Sequence, residues 1–271
     1  MKTRPRKRFG QNFLTDNSVI DRIVSAINPD SSDHIVEIGP GRGAITELLI
    51  RSDCQLDLIE IDRDLVALLQ QKFGAEIPIY SEDVLKFDFE NLRSEQPIRV
   101  VGNLPYNIST PLMFKLFQYD GLFKDLTFML QLEVVNRLTA TPGGGNYGRL
   151  SIMSQYFCDA EKLFNVPKES FSPSPKVESA IVRLTPKKEH QVEVKNIKLL
   201  EQLLISAFSK RRKTIRNALG SYLSAEELEE LGFDTKLRPE NLYPEDFARC
   251  ANYINKRQKT DSPEPSSPSE E

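Results

Sequence analysis

The sequence predicts a doubly wound, mostly parallel α/β domain followed by a small all-α domain. Short apolar runs alternate with amphipathic helical patterns as far as about residue 184, and only helical patterns follow between residues 196 and 256. Repeated strand–helix units build parallel sheets, whereas a run of helices forms a layer of its own. We therefore expect one domain at residues 1–186, a helical domain at 187–258, and a disordered Ser/Pro/Glu-rich tail at 259–271.

The elements of the first half follow from periodicity and from the residues that end each run. Apolar residues recur at helical spacing over Asn17–Ile27, and the apolar run HIVEI at His34–Ile38 stops at Gly-Pro-Gly, as a buried strand does. A ligand crevice is expected at the carboxyl ends of such strands. The same reasoning predicts helices at 44–51, 64–73 and 133–140, a helix opened by Thr110-Pro111, and strands at 55–61, 77–81, 98–101, 126–130 and 179–184.

The composition excludes several classes of protein. No apolar run approaches the ~20 residues of a membrane span, and the basic start MKTRPRKRFGQ lacks the apolar stretch of a secretory signal. Three cysteines without a CxxC motif favour a reducing compartment and argue against structural zinc. We expect a cytoplasmic protein without a metal. Because only His34 and His190 are available as histidines, hydrolytic triads are also disfavoured.

A net charge of −3 conceals two concentrated basic clusters. The first ten residues contain five basic side chains and no acidic one, and the segment KRRKTIR at residues 210–216 contains five more. Clusters of this kind favour a polyanionic partner, because Lys and Arg contacts to phosphate dominate nucleic-acid affinity. A solvated surface is the alternative for each cluster. The candidate RNA-binding residues are Arg6, Lys7, Arg8, Lys210, Arg211, Arg212, Lys213 and Arg216.

The glycine-rich segment VEIGPGRGA, residues 36–44, lies between a predicted strand and a predicted helix. Gly39 and Gly41 would let the backbone approach a ligand at the helix N-terminus. Glu60 ends the next strand, where a carboxylate can accept both ribose hydroxyls of a nucleoside, and Asp83 follows the third strand toward the same crevice. The spacing also fits a dinucleotide fingerprint, so NAD binding is a competing interpretation, as is a tight turn with surface acids.

The segment GNLPYN, residues 102–107, discriminates between these interpretations. Asn103 offers an amide oxygen, and the residue before Pro105 is extended, which fixes the carbonyl of Leu104. Two such acceptors suit a substrate NH₂ group and favour the pyramidal nitrogen that attacks a methyl sulfonium. Tyr106 adds a flat face for a planar ring. A hydride-transfer enzyme gains nothing from this loop, which argues against NAD; a proline-stiffened turn with a packed tyrosine is the alternative.

A second aromatic side chain is presented by FSPSPKV, residues 171–177. Its prolines stiffen a loop, so that a base flipped out of its stack could be clamped between Phe171 and Tyr106. A core position for Phe171 beneath the loop is the alternative. The candidate catalytic residues are thus Asn103, Leu104, Tyr106 and Phe171.

Five segments occur in the order found in the rRNA adenine N6,N6-dimethyltransferases, and the chain resembles this family over about residues 7–255. They are FGQNFL (9–14), EIGPGRG (37–43), GNLPYNIS (102–109), YGRLS (147–151) and FSPSPKV (171–177). The resemblance is closest to the bacterial KsgA (RsmA) type, which acts on small-subunit rRNA. The helical region around FSKRRKTIRN also resembles the C-terminal domain of this family.

The resemblance implies a Rossmann-like methyltransferase domain that uses S-adenosylmethionine. It implies that the substrate is a pair of adjacent adenosines in the loop of the hairpin near the 3′ end of 16S rRNA, each dimethylated during small-subunit assembly. Two features depart from the family, a short arm before Lys7 and the acidic tail, to which we assign no role. The implied cofactor contacts are Asn12, Leu14, Gly39, Glu60, Asp83 and Asn103.

Two related functions remain as alternatives. Large-subunit rRNA methyltransferases of the macrolide-resistance type share the fold and the cofactor loop, but YGRLS and a long helix expected around KRRKTIRN argue against them. An RNA-binding assembly factor without catalysis is disfavoured by the intact set of Glu60, Asp83 and Asn103. We expect the protein to act as a monomer.

Overall fold

The computed structural model describes residues 11–105, 107–119, 121–209 and 212–260. Contacts between Cα atoms divide the chain into two compact units. Of the described residues, the first unit comprises those between 11 and 139 together with 157–188, and the second comprises 140–156 together with those between 189 and 260. This division differs from the predicted boundary at residue 186, because residues 140–156 pack with the C-terminal helices.

A seven-stranded sheet forms the centre of the first unit. Its strands are β2 (His34–Ile38), β3 (Gln55–Ile59), β4 (Ile79–Tyr80), β5 (Ile98–Asn103), β6 (Phe123–Gln131), β7 (Cys158–Val166) and β9 (Ser179–Pro186). Their order in the sheet is β4-β3-β2-β5-β6-β9-β7. The first five strands in this order are parallel, and β9 and β7 are antiparallel to their neighbours, so the predicted mostly parallel sheet is confirmed.

A separate pair of short strands joins distant parts of the chain. In this pair β1 (Phe13–Leu14) runs antiparallel to β8 (Phe171–Ser172), with Leu14 opposite Phe171. Directly after β1, the backbone N–H groups of Thr15 and Asp16 both donate to the carbonyl of Ser170. These contacts fasten the N-terminal end of the described chain to the loop that follows β7.

Among the described residues of the first unit, five α-helices accompany the strands. Asp16 begins α1 by accepting from the N–H groups of Ser18 and Val19, and Asp62 begins α3 by accepting from the N–H of Asp64. Side chains of this type satisfy the donors that the first helical turn leaves unpaired. The helices are α1 (Asn17–Ile27), α2 (Thr46–Ile50), α3 (Arg63–Phe73), α4 (Ser109–Leu116) and α5 (Leu132–Leu138).

Gly102 in β5 lies opposite Ile38 of the neighbouring strand β2, with no room for a side chain. A Cβ atom at this position would stand 2.4 Å from the carbonyl oxygen of Ile38. Because the obstacle is backbone, it cannot move aside as a side chain could. The glycine of the GNLPYN segment is therefore required by the sheet itself, at the strand end that leads into Asn103.

The second unit is helical. It contains α6 (Arg149–Phe157, which ends one residue inside the first unit), α7 (Ile197–Ala207), α8 (Ile215–Ala218), α9 (Ala225–Glu230) and α10 (Pro244–Thr260). The prediction of a long helix around KRRKTIRN is wrong for the described residues, since α7 ends at Ala207 and α8 has four residues. Thr214 is extended before α8, and the buried Ile215, the first residue of that helix, donates its N–H to the carbonyl of Leu237 at 2.7 Å. Within the described ranges, no helix combines the length and apolar character needed to cross a membrane.

Candidate active site

A cavity of about 290 Å³ lies at the carboxyl ends of the parallel strands. The chain order reverses there, because β3 and β4 extend the sheet to one side of β2 whereas β5 lies on the other. Such a switch point is the usual ligand crevice of an open α/β sheet. The cavity brings together nine of the residues proposed from sequence, namely Asn12, Leu14, Gly39, Gly41, Glu60, Asp83, Asn103, Leu104 and Phe171.

Glu60 connects the glycine loop to the end of β3. Its Oε2 accepts the N–H of Gly41 at 3.3 Å, and its Oε1 accepts the N–H of Asp62 at 2.9 Å. Gly41 has a φ of +60°, and a Cβ on it would stand 3.2 Å from the ring of Phe13. Burial raises the pKa of Glu60, and this effect outweighs the backbone hydrogen bonds, which act to lower the pKa. The carboxylate is thus held in one orientation at the cavity wall.

The strand before Glu60 is shorter than predicted, and this changes the position of Ile61. We predicted a strand over 55–61, but β3 ends at Ile59, so Glu60 and Ile61 belong to the following loop. Ile61 lines the cavity and is 46% exposed, which is unusual for a large apolar residue. Its apolar face beside the Glu60 carboxylate suits a flat nucleobase, and no sequence signal distinguished it from a strand residue.

Glu37 is a cavity residue that the sequence analysis did not select. It lies in β2, is 2% exposed, and accepts the hydroxyl of Thr46 at 2.6 Å. Burial raises the pKa of Glu37 to about 7, and the negative charge of Glu60 acts in the same direction. The available signal was a single carboxylate inside the otherwise apolar strand pattern, one residue before the end of HIVEI.

Asn103 is the last residue of β5, and the NH₂ group of its side-chain amide is hydrogen-bonded. Its Nδ2 donates to the backbone carbonyl of Asn12 at 3.2 Å, which leaves the amide oxygen as the acceptor on the other branch of the side chain. The N–H of Leu104 donates to the carbonyl of Met129 at 3.2 Å. No group in the described parts of the chain donates to the Leu104 carbonyl. Two oxygen acceptors therefore follow each other at the cavity.

Asp83 and Phe171, the remaining acidic and aromatic residues proposed from the sequence, also line this cavity. Asp83 follows β4, and its Oδ1 accepts the N–H of Leu85 at 3.0 Å. Phe171 lines the cavity but is only 5% exposed, and it belongs to the same buried cluster as Leu14 and Val101. Stacking of a base on Phe171 stays a prediction, and Tyr106, its proposed counterpart, lies outside the described residues.

The described part of the second basic cluster lies in the second unit. Arg212 and Arg216 are exposed, and Lys213 is half-buried. The other candidate RNA-binding residues, Arg6, Lys7, Arg8, Lys210 and Arg211, lie outside the described residues.

The chain is similar to known proteins over most of its length. Two curated relatives carry the name ribosomal RNA small subunit methyltransferase A. The relative from Marinobacter nauticus is 53% identical over 92% of this chain and 91% of its own length, and the one from Pseudomonas aeruginosa is 54% identical over 93% and 95%.

Two solved structures resemble the whole fold. A dimethyladenosine transferase from Plasmodium falciparum has a TM-score of 0.75 at 28% identity, covering 91% of this chain and 98% of its own. The 23S rRNA methyltransferase ErmE has a TM-score of 0.68 at 25% identity, covering 90% and 100%. The family profile described as ribosomal RNA adenine dimethylase matches residues 2–256. Because this match spans nearly the whole chain, the chain belongs to the ribosomal RNA adenine dimethylase family.

Proposed function

We propose that this protein transfers methyl groups from S-adenosylmethionine to the N6 amines of two adjacent adenosines in the loop of the 3′-terminal hairpin of 16S rRNA. The observation that carries the proposal is the pair of acceptors at Asn103 and Leu104 in the same cavity as the Glu60 carboxylate. The names and the identities of 53% and 54% of the two bacterial relatives support the small subunit as the source of the rRNA.

The cavity residues fit S-adenosylmethionine. Glu60, oriented by two backbone N–H groups, would accept the ribose hydroxyls. Ile61 offers an apolar face for the adenine, and Asp83 would accept its exocyclic amine. Gly41, whose φ of +60° excludes most side chains, leaves the loop backbone open to the ligand. When bound, this cofactor supplies a methyl group on a sulfonium, which is a strong electrophile.

The substrate amine is prepared by the acceptors of the chain itself. The lone pair of an exocyclic adenine amine is delocalised into the ring, so the planar amine is a poor nucleophile. The amide oxygen of Asn103 and the carbonyl of Leu104 would each accept one hydrogen and favour a pyramidal nitrogen. Preorganised contacts of this kind act on the transition state. A strong general base is unnecessary, because the alkylated cationic amine is far more acidic than the starting one.

The RNA would be held outside the cavity by charge. Basic side chains would contact its phosphates, as Lys and Arg do in nucleic-acid complexes. The residues proposed for this role are Arg6, Lys7, Arg8, Lys210, Arg211, Arg212, Lys213 and Arg216. The flipped adenine would be stacked against Phe171 and Tyr106. We further propose that the enzyme acts as a monomer in the cytoplasm on the small subunit or its precursor.

The test is to incubate the protein with methyl-labelled S-adenosylmethionine and small ribosomal subunits that lack the modification, and then to map the label. Dimethylated adenosines in the 3′-terminal hairpin are expected. Label on an adenine of large-subunit rRNA would instead support the macrolide-resistance type, to which the fold of ErmE is similar. Binding to subunits without any label would support an assembly factor without catalysis.

A further inference from the structure

We propose that Gln11 is a positioning residue for methyl transfer, which orients the Asn103 amide through the backbone of Asn12. This inference rests on the proposed function and adds to it a residue that touches neither the amine nor the methyl donor in the proposed reaction. It concerns the N-terminal segment, defined as residues 11–14, which forms one wall of the cavity.

The first step is the hydrogen bond between the Gln11 side chain and a buried carboxylate. The Gln11 Nε2 donates to Oδ2 of Asp62 at 3.0 Å. Asp62 is 3% exposed and begins α3, since its Oδ1 accepts the N–H of Asp64 at 3.1 Å. The backbone N–H of Asp62 also donates to Glu60 at 2.9 Å. Gln11 is thus tied to a buried carboxylate that is itself fixed to a helix and to the proposed ribose-binding residue.

The second step is the contact that the neighbouring residue makes. The carbonyl of Asn12 accepts Nδ2 of Asn103 at 3.2 Å. A primary amide can present either its oxygen or its NH₂ group to a ligand, according to which way it is turned. With Nδ2 donating to Asn12, the oxygen is the group available to the substrate amine. If the amide were turned over, its NH₂ group would face another NH₂ group, and the acceptor that the chemistry needs would be lost.

The third step is that different hydrogen bonds hold the two ends of the N-terminal segment in place. Leu14 is held by pairing with Phe171, and the adjoining Thr15 donates to Ser170. These contacts lie on the C-terminal side of Asn12. The side-chain hydrogen bond of Gln11 lies on the N-terminal side, so it restrains the Asn12 carbonyl from the direction that the β1–β8 pair does not cover.

The experiment compares three variants of Gln11 with a matched control. Gln11→Ala removes the hydrogen bond, and Gln11→Glu places a carboxylate against Asp62. The double variant Gln11→Glu/Asp62→Asn restores a hydrogen bond of reversed polarity, and asparagine still begins a helix as well as aspartate does. Gln70→Ala is the control, because Gln70 is an exposed glutamine on α3. The single-turnover rate on unmodified small subunits and the affinity for S-adenosylmethionine by calorimetry are measured for each.

We expect Gln11→Ala and Gln11→Glu to slow methyl transfer at saturating substrates roughly 10- to 100-fold, as for a misplaced catalytic group. Cofactor affinity should change less than about twofold, since Glu60 keeps its own two hydrogen bonds. The double variant should recover most of the rate, and Gln70→Ala should match the wild type. In an Asn103→Ala background, Gln11→Ala should cause no further loss, because there is then no amide to orient.

Several results would overturn this role. They are an unchanged rate in both Gln11 variants, an equal loss in Gln70→Ala, a loss confined to cofactor affinity or KM, and an effect that multiplies with that of Asn103→Ala. Each of these requires that the wild type methylates the 3′-terminal hairpin. Failure of the wild type to do so would instead overturn the proposed function, and the positioning role would fall with it.

Discussion

Replacing Glu37 by glutamine should remove a pH-dependent penalty from the folded protein. The carboxyl group is 2% exposed and accepts a single hydroxyl, that of Thr46, at 2.6 Å. Burial raises its pKa to about 7, and the charge of Glu60 contributes in the same direction. Glutamine has the same shape and can still accept from Thr46, but it cannot ionise. The substitution therefore isolates the free energy of ionising this buried group.

The magnitude follows from the difference between the folded and unfolded pKa values. The ordinary value for this group is 4.5 and the folded value about 7, a gap which at ~1.4 kcal/mol per pKa unit corresponds to about 3 kcal/mol. Below pH 4.5 the Glu37 carboxyl is protonated in both the folded and the unfolded state, so its burial carries no ionisation penalty. Between 4.5 and about 7 the unfolded chain releases the proton while the folded protein retains it. Stability is therefore lost as the pH rises through this window.

The assay is urea unfolding of wild type and Glu37→Gln at closely spaced pH values from 5 to 8. Relative to the wild type, the unfolding free energy of the variant should increase with pH by up to about 3 kcal/mol and level off above pH 7. Glu76→Gln, which removes an exposed carboxylate in the same unit, is the matched control. A difference between Glu37→Gln and wild type that stays constant with pH would refute the reasoning, because it would mean that Glu37 ionises normally in the fold.

Three further predictions concern binding and catalysis. Glu60→Ala should weaken S-adenosylmethionine binding by about 2–3 kcal/mol in calorimetry, the range for a charge-assisted hydrogen bond, and unchanged affinity would remove Glu60 from the site. Asn103→Ala should slow methylation about 10²- to 10³-fold while subunit binding persists. Phe171→Ala should lose only the stacking free energy of one base, about 1–3 kcal/mol. Near-normal turnover of correctly folded Asn103→Ala would show that this loop does not handle the amine. Neutralising Arg212 and Arg216 should weaken subunit binding and flatten its salt dependence without affecting cofactor affinity, and an unchanged slope would contradict phosphate contacts.

The central strands were predictable because burial on both faces gives continuous apolar runs. The run His34–Ile38 is β2 as predicted, and β5 extends only two residues beyond the predicted 98–101. The edge strand β7 escaped prediction for the opposite reason. It lies at the end of the sheet, and most of the side chains in CDAEKLFNV are exposed or half-buried, so neither a continuous apolar run nor a strict alternation marks it.

Interactions between distant segments account for the other differences. A long helix was expected around KRRKTIRN. In the structure Thr214 is extended and the short helix α8 begins at Ile215, whose buried side chain and hydrogen bond to the Leu237 carbonyl depend on residues more than twenty positions away. Glu37 was overlooked for a related reason. A sequence shows that a carboxylate stands in an apolar strand, but not that it is covered from every side.

The candidate site shows the same limit at the level of single atoms. The motif around residue 103 predicted that the Asn103 amide handles an amine, and the structure places this residue at the end of β5 and in the cavity wall. Whether an amide acts there as a donor or an acceptor depends on what its other branch contacts. In this fold that contact is the Asn12 carbonyl, 91 positions away along the chain. The orientation of the amide in the GNLPYN segment therefore depends on the QNFL segment. Since the two motifs meet only in the folded chain, the contact between the Asn103 amide and the Asn12 carbonyl can be recognised only from the structure.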